Sequence, residues 1–75
     1  MDKTSLLALF AEARRRAESG DLGIADQQAL IAELERQGFD STKARALLAK
    51  LISTQQVELT EMERLLDEMD RGARD

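Results

Sequence analysis

Along the first half of the chain, Leu6, Phe10, Ala13, Ala17, Gly20, Ile24, Gln27, Ile31 and Leu34 recur at alternating steps of four and three. Such steps trace one stripe along a helix, with the seven-residue repeat of a coiled-coil seam. The phase carries through Gly20 and Gly23 without slipping, which a turn between them would have no reason to preserve. The pattern predicts one long helix from Ser5 to Gln37, capped by Thr4 or Ser5, with Met1 to Lys3 frayed ahead of it. The alternative is a break or kink between Gly20 and Gly23. Ser19-Gly20-Asp21-Leu22-Gly23 also reads as a helix stop followed by a new cap, and each mid-helix glycine costs about 1 kcal/mol relative to alanine.

In the second half, Leu48, Ile52, Gln55, Leu59, Met62, Leu66 and Met69 are the expected main seam of a helix from Ser41 to Arg71, with Gly72 as its stop. Leu47, Leu51 and Leu65 widen that stripe on one side. At 1.5 Å per residue each helix spans about 45 Å. Between them, Gly38 suits the left-handed conformation that ends a helix, Asp40 or Ser41 supplies an N-cap oxygen, and Phe39 is placed to pack across the joint. So short a connection makes the helices antiparallel neighbours. The expected fold is all-α, a single helical-hairpin domain over residues 1–75.

Folding the chain about Phe39 brings Arg14, Arg15 and Arg16 toward Glu61, Glu63 and Arg64, and Glu33 and Glu35 toward Lys43 and Arg45. It sets Gly20, Ala17 and Ala13 against Leu59, Met62 and Leu66, small against large. The second helix alone carries Lys43, Arg45 and Lys50 at its positive end and Glu58, Glu61, Glu63, Asp67, Glu68 and Asp70 at its negative one, against its own macrodipole. An antiparallel partner accounts for that order. Gln27 and Gln55 interrupt the two seams; they either fix register or face water, or form a polar layer that specifies oligomeric state.

Seventy-five residues lie near the lower limit for a self-sufficient core. A hairpin buries each stripe on one side only, and Leu7, Leu9 and Leu30 lie off the first seam. A symmetric homodimer forming a four-helix bundle is the expected way to cover the surplus. The residues expected to carry self-association are Leu30, Ile31, Leu34, Leu47, Leu48, Leu51, Leu59, Met62 and Leu66.

Composition narrows the chemistry. Cysteine and histidine are both missing, which removes disulfides, thiolate ligands, cysteine nucleophiles and the commonest general base. Phe10 and Phe39 are the only aromatics, so no base-stacking platform is available. A net charge of −4 argues against nonspecific contact with nucleic acid or anionic membrane. No apolar run approaches the roughly 20 residues of a membrane span, and charge returning at Glu12 argues against a signal peptide. A cytoplasmic setting is expected.

The stretch Ala29-Leu30-Ile31-Ala32-Glu33-Leu34-Glu35-Arg36-Gln37-Gly38-Phe39-Asp40-Ser41, followed by Ala44, Ala46, Leu47 and Leu48 and ending in Arg64-Leu65-Leu66, resembles small helical-hairpin proteins of unknown function from rhizobia and related alphaproteobacteria. The resemblance covers roughly the second half of the chain. This chain lacks the histidines those proteins often carry before the arginine-leucine-leucine ending. The resemblance implies a hairpin and a bacterial cytoplasmic setting, and it transfers no site residue.

Candidate sites are weak. Asp21, Gly23 and Asp26 suggest a calcium loop, but Ala32 stands where the bidentate glutamate is required. Glu63, Asp67 and Asp70 at helical spacing form a solvated acidic face, and Arg14 to Arg16 point in three directions around a helix. No metal or cofactor is implied, and no residue set supplies nucleophile, base and oxyanion donors together. The expected function is that of a non-enzymatic protein–protein interaction module, an adaptor or regulator acting as a homodimer, with a further protein partner open. The alternative is a helix-turn-helix-like DNA-binding regulator using residues 22–37. Its turn would be Leu22-Gly23-Ile24 and its recognition helix Asp26 to Gln37, with Arg36, Gln27 and Gln28 as base readers among acidic neighbours.

Overall fold

The computed structural model describes residues 2–74, which form two helices, α1 (Lys3–Arg36) and α2 (Thr42–Arg74), folded into a rod of 59 × 14 × 14 Å. α1 runs unbroken through Gly20 and Gly23, and its seam is the expected one. Leu6, Ala13, Ala17, Gln27 and Ile31 are buried, while Phe10, Gly20, Ile24 and Leu34 are half-buried.

The helix ends differ from expectation at three places. Asp2, not Thr4 or Ser5, caps α1, its Oδ1 accepting from the Ser5 backbone N–H at 2.7 Å. Of the stretch expected to fray, Met1 lies outside the described residues, Asp2 is the cap and Lys3 opens the helix. α2 passes through Gly72, since glycine in a helix lowers its stability without forcing a stop.

The turn closes by backbone hydrogen bonds. Gly38, at φ +80°, donates to the Glu35 carbonyl at 3.1 Å, and Phe39 donates to the Leu34 carbonyl at 2.8 Å. This pair is the Schellman arrangement, which satisfies carbonyls left free at a helix end. The Phe39 side chain does not pack across the joint; it is 61% exposed, and the turn is held by main-chain and polar side-chain bonds. Asp40 Oδ1 then accepts from both the Thr42 backbone N–H and its hydroxyl, which lowers the Asp40 pKa. Ser41 is buried, and its hydroxyl donates to Glu35 at 3.3 Å. Arg45 pairs with the same carboxylate and draws its pKa down.

Register is fixed by two glutamines, each buried and each spanning the hairpin. Gln27 Nε2 donates to the Ala44 carbonyl at 2.9 Å. Gln55 Nε2 donates to the Ala17 carbonyl at 2.7 Å and to Asp21 Oδ1 at 2.8 Å. The glutamines therefore do not face water. Gln55 can reach this far because Gly20 leaves room: a Cβ there would stand 2.0 Å from Gln55 Oε1. A buried amide without partners costs about 1–3 kcal/mol, more than any exposed ion pair contributes, so the glutamines and not the charges set the alignment.

That alignment shifts the expected pairing. Gly20 faces Gln55 and not Leu59, and Ala13 packs with Leu6 and Leu65, flanked by Phe10, Met62 and Met69. Arg16 bonds Glu58 at 3.0 Å, whereas Arg14 and Arg15 pair locally with Glu18 and Glu12. Arg64 turns back to Glu61 and Glu33 to Arg36; of the expected cross-helix set, Glu35 pairs with Arg45, and Arg16 lies near enough to Glu61 to help Arg64 lower its pKa.

The two mid-helix glycines should respond oppositely to alanine. Gly23 has nothing within 4 Å of a built Cβ, so Gly23→Ala should stabilise the chain by about 1 kcal/mol in urea unfolding followed by circular dichroism. Gly20→Ala makes the same helical gain but expels the Gln55 amide from its bonds, and should end destabilised by about 1 kcal/mol. Equal stabilisation by both would remove Gln55 from Gly20.

Candidate interaction surface

The seam of α2 differs in phase from the expected one. Ser41, Gln55 and Leu65 are buried, and Ala44, Leu48, Leu51, Glu58, Met62 and Met69 are half-buried. Together they make an unbroken run of three- and four-residue steps facing α1. Ile52, Leu59 and Leu66, expected in that seam, are instead 39%, 46% and 49% exposed. Leu51 and Leu65, expected only to widen the stripe, are the inward residues. Gln55 directs its amide at Ala17, Glu58 sits at the edge of the seam beside Arg16, and the row containing Leu59 faces outward.

The residues expected to associate thus divide into two sets. Ile31 is buried, and Leu34, Leu48, Leu51 and Met62 are half-buried, all within the seam between α1 and α2. Leu30, Leu47, Leu59 and Leu66 lie outside it and are about equally exposed, between 46% and 49%. Of the outer row, Leu59 and Leu66 are among the residues expected to associate, whereas Ile52 is expected only in the main seam.

The exposed apolar residues fall into distinct places. Ile52, Leu59 and Leu66 run along α2 on the side where Arg45 meets Glu35. α1 presents Leu7, Arg14, Asp21, Gln28 and Glu35 on that side, so its share is polar except at one end. Leu30 and Leu47 lie across the rod, toward the turn. Leu22 and Val57, the most exposed at 69% and 67%, stand apart from both groups. Beside Gly20 and Gly23, an open groove is lined by Arg16, Ser19, Leu51, Thr54, Gln55 and Glu58.

The helix-turn-helix alternative lacks the turn it requires. Leu22, Gly23 and Ile24 lie inside the continuous α1, so residues 22–37 contain no helix-turn-helix turn. Among the described residues, no group of three or more carboxylates is placed to hold a metal ion, and no helix is long and apolar enough to cross a membrane.

The division between seam and surface has a direct test in thermal and urea unfolding. Leu65→Ala should cost about 2–5 kcal/mol, whereas Leu22→Ala and Val57→Ala should each stay within about 0.5 kcal/mol of the parent. A loss at Leu22 or Val57 comparable to that at Leu65 would mean that their side of the rod is covered. No family model, curated protein or solved structure matches this chain.

Proposed function

We propose that this chain is a small non-enzymatic protein–protein interaction module, an adaptor or regulator that acts as a homodimer. The observation that carries the reading is the imbalance between core and surface. The buried apolar residues among those described are Leu6, Ala13, Ala17, Ile31 and Leu65, two of them alanines, whereas ten large apolar residues are exposed. The chain exposes 5743 Å², against roughly 4,600 Å² for a compact monomer of its mass. A helix pair that small recovers little of the conformational entropy of ordering the chain. A partner that covers the outer apolar rows supplies the missing burial.

The four-helix bundle follows from the same imbalance. α2 is apolar at its inward seam and at one flanking row, the broad pattern of a bundle helix and wider than a two-stranded seam needs. Light scattering across a hundredfold dilution, with circular dichroism on the same samples, tests the proposal. A mass of two chains that falls to one as helicity falls is the expected result. A fully helical monomer at every concentration would overturn it.

A further inference from the structure

We infer that the second copy docks antiparallel on the outer row of α2, Ile52, Leu59 and Leu66, with the two-fold axis passing beside Leu59. This rests on the homodimer reading above and adds to it the face and the direction of the partner.

The row is self-complementary. Its members are equally spaced, so reversing α2 about Leu59 sets Leu59 on its own copy and exchanges Ile52 with Leu66. Every apolar side chain then meets an apolar side chain, as a two-fold interface requires. α1 offers no comparable row, since its residues on this side are polar beyond Leu7. The turn-proximal pair Leu30 and Leu47 spans too little of the rod to hold a second copy alone.

Charge selects the direction. Beside the apolar row, α2 carries Ala49, Gln56, Glu63 and Asp70. A parallel copy would stack Glu63 on Glu63 and Asp70 on Asp70. It would also juxtapose the two α2 macrodipoles unfavourably. The antiparallel copy sets Gln56, an amide donor, opposite Glu63, and Ala49 opposite Asp70. Glu63 has no ion pair within the chain among the described residues, so its carboxylate is available to accept. The end bearing Lys43 and Lys50 then lies along the acidic end of the partner.

Because the sequence contains no cysteine, single cysteine variants report the geometry without background. Under mild oxidation, Leu59→Cys should crosslink to itself, and an equal mixture of Ile52→Cys and Leu66→Cys should crosslink between the two variants. Ile52→Cys alone should not, because antiparallel docking separates its copies by roughly 21 Å at 1.5 Å per residue, far beyond disulfide reach. Val57→Cys, off the row, should stay uncrosslinked. Light scattering and circular dichroism on each reduced variant confirm that it is folded and give its mass. Self-crosslinking of Ile52→Cys would overturn the direction. A dimer by mass in which neither Leu59→Cys nor the mixture crosslinks would overturn the face and leave the homodimer reading standing. A folded monomer would overturn both.

Discussion

The contact on which the rest of this molecule depends is the Gln55 side-chain amide, which passes over Gly20 to donate to the Ala17 carbonyl and to Asp21. A buried amide must find partners, and a helix offers free acceptors at few places: an accessible backbone carbonyl where the overlying residue is small, or a carboxylate nearby. α1 provides both within one turn. Gln55 fixes the register there, and Arg16 with Glu58 and Leu65 against Ala13 complete the phase of α2. Leu51, Glu58 and Leu65 turn toward α1, and Ile52, Leu59 and Leu66 turn away. The outer face is thus not the one that the distribution of leucines alone suggests.

The turn and Gln27 hold the opposite end of the same alignment. Gly38 and Phe39 return their N–H groups to Glu35 and Leu34, Asp40 caps the entry to α2, and Gln27 reaches the Ala44 carbonyl a few residues further on. With one anchor near the turn and another near mid-rod, a slip of one heptad would strand both amides. The ion pairs contribute less. Arg16 with Glu58 and Arg45 with Glu35 lie at exposed edges and add only tenths of a kcal/mol each, so they follow the register that the amides impose. Packing around Ala13, Leu6 and Leu65 then fills the open end of the rod.

Much of this fold was legible in the sequence, and what was not has a common physical origin. The seam of α1 could be read because one flanking row, Leu7, Arg14, Asp21, Gln28 and Glu35, is mostly polar, leaving one self-consistent stripe from Leu6 to Leu34. Gly38 was legible because few residues accept a positive φ. α2 gave no such contrast. Leu48, Gln55, Met62 and Met69 belong to either phase, and the competing sets were Leu51, Glu58 and Leu65 against Ile52, Leu59 and Leu66. Hydrophobicity alone prefers the second, since a glutamate is a poor core residue. What distinguishes the first are contacts far apart in sequence, Arg16 with Glu58 at 3.0 Å and Leu65 against Ala13, invisible to periodicity. The same misreading mixed the inward residues Leu48, Leu51 and Met62 with the outward Leu59 and Leu66 in the expected association set. Gly20 looked like a possible helix break for a related reason: its small size serves Gln55 across the hairpin and not the local backbone.

The most direct test of this account is the Gln55 side-chain amide observed by NMR in uniformly labelled protein. Two hydrogen bonds inside the hairpin predict well-resolved, slowly exchanging Nε2 protons with nuclear Overhauser contacts to Ala17 and Gly20. Sharp, rapidly exchanging signals at the position of a free glutamine, with no contact to α1, would contradict the register and with it the assignment of inner and outer faces on α2.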